Sequence, residues 1–243
     1  VDGLLDAKMK PKLILCLALV TMACLTTARA QPLPSAQSTN VLLWPTMDYS
    51  KFMAGHPDEA KRQQMWQYFL VVEPEAKSFA GTLDHWKMLK TITLGTTGPK
   101  WFSSGRLQLG THSEYGTMFH EIFHNTFNGS QFHKGGDNAW AEAFCDAFRY
   151  MMEKKHLPGP RTKWFLKVDR YADETYAQVM AESGDRHFDQ KYCYPASLIV
   201  RKAGKDPEKF RALWFELQRL RETKNAAVLN TYFGYDMQTG QPL

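Results

Sequence analysis

Two stretches, TMFHEIFHNTF at residues 117–127 and GDNAWAEAFCDAFRYMM at residues 136–152, constrain the fold more than anything else in the chain. Each reads as a helix with polar side chains four apart: His120 and His124 in the first, Glu142 and Asp146 in the second. Residues at that spacing share one helix face about one turn apart, so the two imidazoles can address a common ion. Glu121 lies about 100° round the helix from His120, near enough to take a proton from ion-bound water without being a ligand itself. A hydrolytic zinc site wants three protein ligands and one open position. The connection over residues 125–137 lets the second helix fold back beside the first, which makes Glu142 the candidate third ligand. Asp146 can then accept the outer N–H of a ligand histidine, setting its tautomer and raising its basicity. Burying these titratable groups together without a metal would be costly.

The rest of the chain divides at about residue 113. Before it, VLLWP at 41–45 offers a short strand stopped by Pro45, and the run from Asp58 to Val72 has helical apolar spacing at Met65, Tyr68, Phe69 and Val72. Residues 89–95 and 105–112 alternate as strands, joined by the turn-rich TTGPKWFSSG. After Ser113 nearly everything reads as helix: 114–127, 138–156, 163–182, 192–203, 207–222 and 225–233. The punctuation agrees, with Gly204 closing one helix, Asp206-Pro207-Glu208 opening the next and Gly234 stopping the last. The expected fold class is α+β. A small mixed or antiparallel sheet over 41–112 precedes a helical part over 113–243, the two forming one domain with a cleft between them. Trp140, Phe144 and Phe148 form a core stripe on the second helix.

These residues resemble the gluzincin metallopeptidases, the thermolysin-like superfamily. There the HExxH helix is followed by a helix with its glutamate ligand in a Trp-x-Glu setting and an aspartate four residues on; here those are His120, Glu121, His124, Trp140, Glu142 and Asp146. The resemblance implies a zincin-like fold with one zinc ion held by His120, His124 and Glu142, and Glu121 as general base. It also implies an edge strand just before the motif helix, antiparallel to bound substrate, in the place of GRLQLGTH at 105–112. The stretch YCYPASLIVRKAG at 192–204 is similar to the one that opens a later helix in the family, which makes Tyr194, or Tyr192 in its stead, the hydrogen-bond donor to the developing oxyanion. The implied activity is zinc-dependent hydrolysis of peptide bonds in a peptide or protein substrate.

Other residues compete for roles. His133, beside Gly135 and Gly136, is a rival metal ligand or a loop residue bordering the cleft, and His112 can polarise substrate from the strand end or be an ordinary surface histidine. A metzincin needs glycine at 127 and histidine at 130, where Phe127 and Ser130 stand. Two other functions share the same residues: a catalytically inactive zinc- or polypeptide-binding protein of this fold, and a zinc amidase acting on a non-protein amide.

Residues 9–30 carry Lys10 and Lys12, an apolar run from Leu13 to Leu25 and Ala28-Arg29-Ala30, the pattern of a secretory leader cleaved after Ala30, with VDGLLDAK as an upstream extension. Lipoprotein attachment at Cys24 is the alternative. Residues 31–40 read as a flexible lead-in. The expected location is secreted or periplasmic, with no stable membrane insertion after cleavage. Cys145 and Cys193 are then the remaining cysteines, open to one disulfide or two buried thiols. The net charge of +5 is scattered rather than clustered, which speaks against a nucleic-acid partner.

Overall fold

The computed structural model describes residues 47–80, 89–96, 98–102, 105–127, 138–157, 159, 161–221 and 226–243. All belong to one compact unit over residues 40–243. The leader, the lead-in, the strand expected at 41–45 and His133 lie outside the described residues.

Helix α1 (Glu59–Phe79) starts where Asp58 accepts the Lys61 backbone N–H, an N-cap that satisfies one of the first turn's free donors. Met65, Phe69, Val72, Ala76 and Phe79 are buried at alternating steps of four and three, the inward stripe of a helix. The helix runs past residue 72, where the expected run ends, and carries Pro74 inside it.

The sheet has three strands, β1 (Thr91–Leu94), β2 (Lys100–Phe102) and β3 (Arg106–Leu109), in the order β1-β3-β2. β1 and β3 run parallel, with Ile92 opposite Leu107, while β2 and β3 run antiparallel, with Trp101 opposite Leu107. Ile92, Leu107 and Leu109 are fully buried, so one face of the sheet joins the core. One expectation is corrected here: the strand leading into the motif helix is the central strand of the sheet, not an edge. The segment read as a loop contains Lys-Trp-Phe, which turns back at Gly105, φ +79°, and pairs along the side of β3 that β1 leaves open. Glycine suits that left-handed position because it has no Cβ to clash.

The helical part comprises α2 (Tyr115–Phe123), continued by a tight 3-10 turn over His124–Phe127, then α3 (Asn138–His156), α4 (Lys163–Tyr171) and α5 (Tyr176–Glu182). A turn at Arg186–Phe188 and a π-helical stretch Asp189–Cys193 lead straight into α6 (Tyr194–Lys202), followed by α7 (Pro207–Arg221) and α8 (Ala226–Phe233). A hairpin of β4 (Tyr235–Asp236) and β5 (Gln241–Pro242) follows. The single helix expected over 163–182 is two, because Thr175 and Gln178 form a capping box that starts a new helix. Among the described residues no helix is long and apolar enough to cross a membrane.

An aromatic cluster ties α1, α2, α3 and α7 together. Phe123 stacks on Phe148 at 4.2 Å, Trp214 meets Phe123 edge-on at 5.0 Å, and the Trp214 indole N–H donates to the Phe79 carbonyl at 2.8 Å. Each such ring contributes about 1.5–3 kcal/mol through burial, enough to hold α2 and α3 side by side. Gly116 permits their close approach: a Cβ there would stand 2.2 Å from the Glu153 carboxylate. That carboxylate is fully buried and held by Arg149 at 2.8 Å and the Thr162 hydroxyl at 2.9 Å, so it has little room to yield.

Candidate metal centre

α2 buries Met118, Phe119, Ile122 and Phe123 against the core, which leaves His120 and His124 on the face turned towards α3. Helix α3 answers with Glu142, Cys145 and Asp146, spaced three and four apart on its own facing side. The 3-10 turn at His124 tightens the end of α2, and the Thr126 hydroxyl donates to the Phe123 carbonyl at 2.8 Å, one of the acceptors the helix end frees.

The donor atoms converge closely. His120 Nε2 and His124 Nε2 are 3.1 Å apart; Glu142 Oε2 is 3.0 Å from His120 Nε2, and Glu142 Oε1 is 3.4 Å from His124 Nε2. Two ligand atoms each about 2.0–2.1 Å from a tetrahedral zinc ion would stand about 3.3 Å apart. Each of these pairwise spacings is of the size such an ion would need, although the two histidines meet different oxygens of Glu142. On the far side of the ring, His120 Nδ1 lies 2.8 Å from Asp146 Oδ1. An ionised carboxylate only accepts, so Nδ1 carries the proton.

The charges also call for a cation. Burial opposes a proton on His120, yet the Asp146 carboxylate, followed by Glu142 and Glu121, raises its pKa to about 10. Burial likewise works against the Glu142 charge, but hydrogen bonds from His120 and His124 hold its pKa well below the usual carboxylate range. For Glu121 burial prevails and pushes the pKa up, with the two histidines opposing and Glu142 and Asp146 adding to it. The Asp146, Glu142 and Glu121 carboxylates thus favour positive charge on the imidazoles, which a bound divalent ion would supply in place of a proton on His120 Nε2. The side chains of Asp146 and His124 are 8% and 11% exposed against 30% for Glu142, so the centre opens to solvent on the Glu142 side.

No family model, no curated protein and no solved structure matches this chain.

Cys145 adds a donor that the residue pattern did not single out. His120, His124 and Cys145 offer ligand atoms all within 4.8 Å of one another, and this group could hold a metal ion. The thiol is fully buried, and burial, then the nearby Glu142, Glu121 and Asp146, raises its pKa far above the ordinary thiol value. Its place three residues after Glu142 was the available signal. Both Cys145 and Cys193 are free, buried thiols.

The remaining candidates have these surroundings. Tyr194 is buried with its ring against Tyr176 at 5.2 Å and Tyr235 at 5.3 Å; burial raises its pKa, and the Arg201 guanidinium opposes the rise. Tyr192 rests against Phe188 at 5.1 Å. Neither tyrosine makes a hydrogen bond or ring contact with the donor cluster among the described residues. His112 is exposed in the turn between β3 and α2.

Proposed function

We propose that the chain is an exported zinc-dependent hydrolase, a peptidase of the gluzincin kind with a zincin-like fold, and that His120, His124 and Glu142 hold its single metal ion. The observation that carries this reading is the convergence of those three side chains, with the two imidazole Nε2 atoms 3.1 Å apart and the two Glu142 oxygens 3.0 and 3.4 Å from them. Zinc bound there would supply a Lewis acid that brings the pKa of a water molecule to about 7.

The chain's own groups do the rest. Asp146 holds the His120 ring by its Nδ1–H, so that Nε2 faces Glu142 and His124, where it could ligate an ion. Glu121 follows His120 on α2, is 7% exposed, and belongs to the same charge cluster. It takes a proton from the attacking water as the new C–O bond forms, then passes it to the leaving nitrogen as the C–N bond breaks. The solvent-facing side at Glu142 is where the substrate carbonyl would enter. β3 is the central strand and the outer side of β1 meets Phe52, so among the described residues β2 is the edge that would be open to pair with an extended peptide. Tyr194, tied to Tyr176, Tyr235 and Arg201, lends no support to an oxyanion role.

One observation favours a second reading. His120, His124 and the buried Cys145 converge as a group that could hold a metal ion, and a thiolate beside two imidazoles suits a structural metal centre that binds without cutting. Cleavage profiling on a peptide library, with and without chelator, separates the two. Loss of cleavage with chelator and its return with zinc supports the peptidase; one zinc per chain with no cut peptide supports the structural site.

A further inference from the structure

The metal-binding reading leaves open what holds Glu142 in place. It sits in the second turn of α3, and the first backbone N–H groups of any helix lack partners within it. Deeper in the same helix, Phe148 is locked by the aromatic cluster and Glu153 by Arg149 and Thr162. Near its start, the anchored side chain is Trp140, two residues before Glu142 and 1% exposed. Its indole N–H donates to Asn230 Oδ1 at 2.7 Å, and its ring stacks on Phe233 at 4.7 Å. Asn230 is held in turn: its Nδ2 donates to Asp236 Oδ1 at 3.1 Å, and that same oxygen accepts the Gln238 N–H at 2.9 Å. On a helix, two residues correspond to about 200°. Trp140 therefore points away from the side on which Glu142 meets the histidines, and α8 with its hairpin supports α3 from behind.

We propose that Asn230 is a positioning residue: by accepting the Trp140 indole N–H it holds the first turns of α3 and so sets where the Glu142 carboxylate stands relative to His120 and His124. The proposal rests on the metal-binding reading above. Without the bond, a buried indole N–H loses its acceptor and the ring must shift or the turn must fray; either moves Glu142 while leaving the core end of the helix in place.

The test is zinc affinity, measured on the full chain by competition with a chromophoric chelator. Asn230→Ala and Trp140→Phe should each weaken zinc binding by about 10–100-fold, the range for partners that orient metal ligands. The double variant should lose no more than the weaker single variant. In a Glu142→Gln background, Asn230→Ala should add nothing. Tyr150→Phe is the control, because it removes a hydrogen bond to Asp169 from the core end of the same helix; it should lower the melting temperature and leave zinc affinity unchanged. Wild-type affinity in folded Asn230→Ala and Trp140→Phe overturns the proposal, as does an equal loss in Tyr150→Phe. If wild type takes up no zinc, or Glu142→Gln binds it as tightly, the metal-binding reading falls and this proposal with it. If those two behave as expected and the Asn230 and Trp140 variants do not, only the positioning role falls.

Discussion

The Asp146 carboxylate lies 2.8 Å from His120 Nδ1, on the opposite side of the ring from the nitrogen that meets His124 and Glu142. One helix thus controls both ends of a histidine carried by another. Asp146→Asn keeps the shape but offers the ring a weaker, neutral acceptor. Zinc affinity should fall by about 10–100-fold, measured by chelator competition, while circular dichroism shows the helices intact.

Glu121 has a separable role. Glu121→Gln should retain one zinc per chain by elemental analysis and lose peptide cleavage by at least about 10²-fold, the lower range for removing a general base. Equal turnover in the variant would sink the proposed mechanism.

The rival third donors make opposite forecasts. Glu142→Gln should weaken zinc binding far more than Cys145→Ser, since the Glu142 oxygens already stand 3.0 and 3.4 Å from the two imidazole nitrogens. The reverse order, read by the same competition assay, would assign the ion to the thiol.

Gly116 should resist substitution. Gly116→Ala sets a methyl against the buried Glu153–Arg149 pair and should destabilise the fold by about 1–3 kcal/mol through overpacking, despite alanine's better helix propensity. Urea unfolding measures it, and an unchanged midpoint would mean that α2 and α3 can part at no cost.

Acid should act through Asp189. This buried carboxylate pays for desolvation, but Lys167 at 2.6 Å, the Ser183 hydroxyl at 2.6 Å and the Tyr171 hydroxyl at 2.9 Å outweigh that cost and lower its pKa. A group whose folded pKa is depressed binds more protons when unfolded, so stability rises with pH across the window. Its contribution is complete above the ordinary aspartate value of 3.8 and is lost as pH falls below that through the folded value. Asp189→Asn should flatten the dependence of melting temperature on pH in that acid range and leave its shape near neutrality unchanged.

The helices that carry the centre were legible because helical signals are local: His120 and His124, or Glu142 and Asp146, declare a shared face within five residues. The same locality would have revealed the break before α5, since Thr175 and Gln178 spell a capping box. β2 was harder to see. Lys100–Phe102 is a three-residue strand in a segment rich in glycine, proline and serine, and its pairing depends on β3 rather than on its own pattern. Cys145 reads as half of a disulfide or as a buried thiol until helix packing sets it beside two imidazoles. The bond from Trp140 to Asn230 spans ninety positions, and no periodicity announces it.

That span has a consequence for how the molecule is made. A chain synthesised from its amino end presents His120, Glu121, His124 and Glu142 long before Asn230 exists. On the proposed roles, the candidate ligands precede the contact that would steady Glu142, and an incomplete chain would carry them without that support. If Asn230 positions Glu142 as proposed, maturation of the centre would be a late event in the life of the polypeptide, timed by the arrival of α8 and its hairpin rather than by the motif itself.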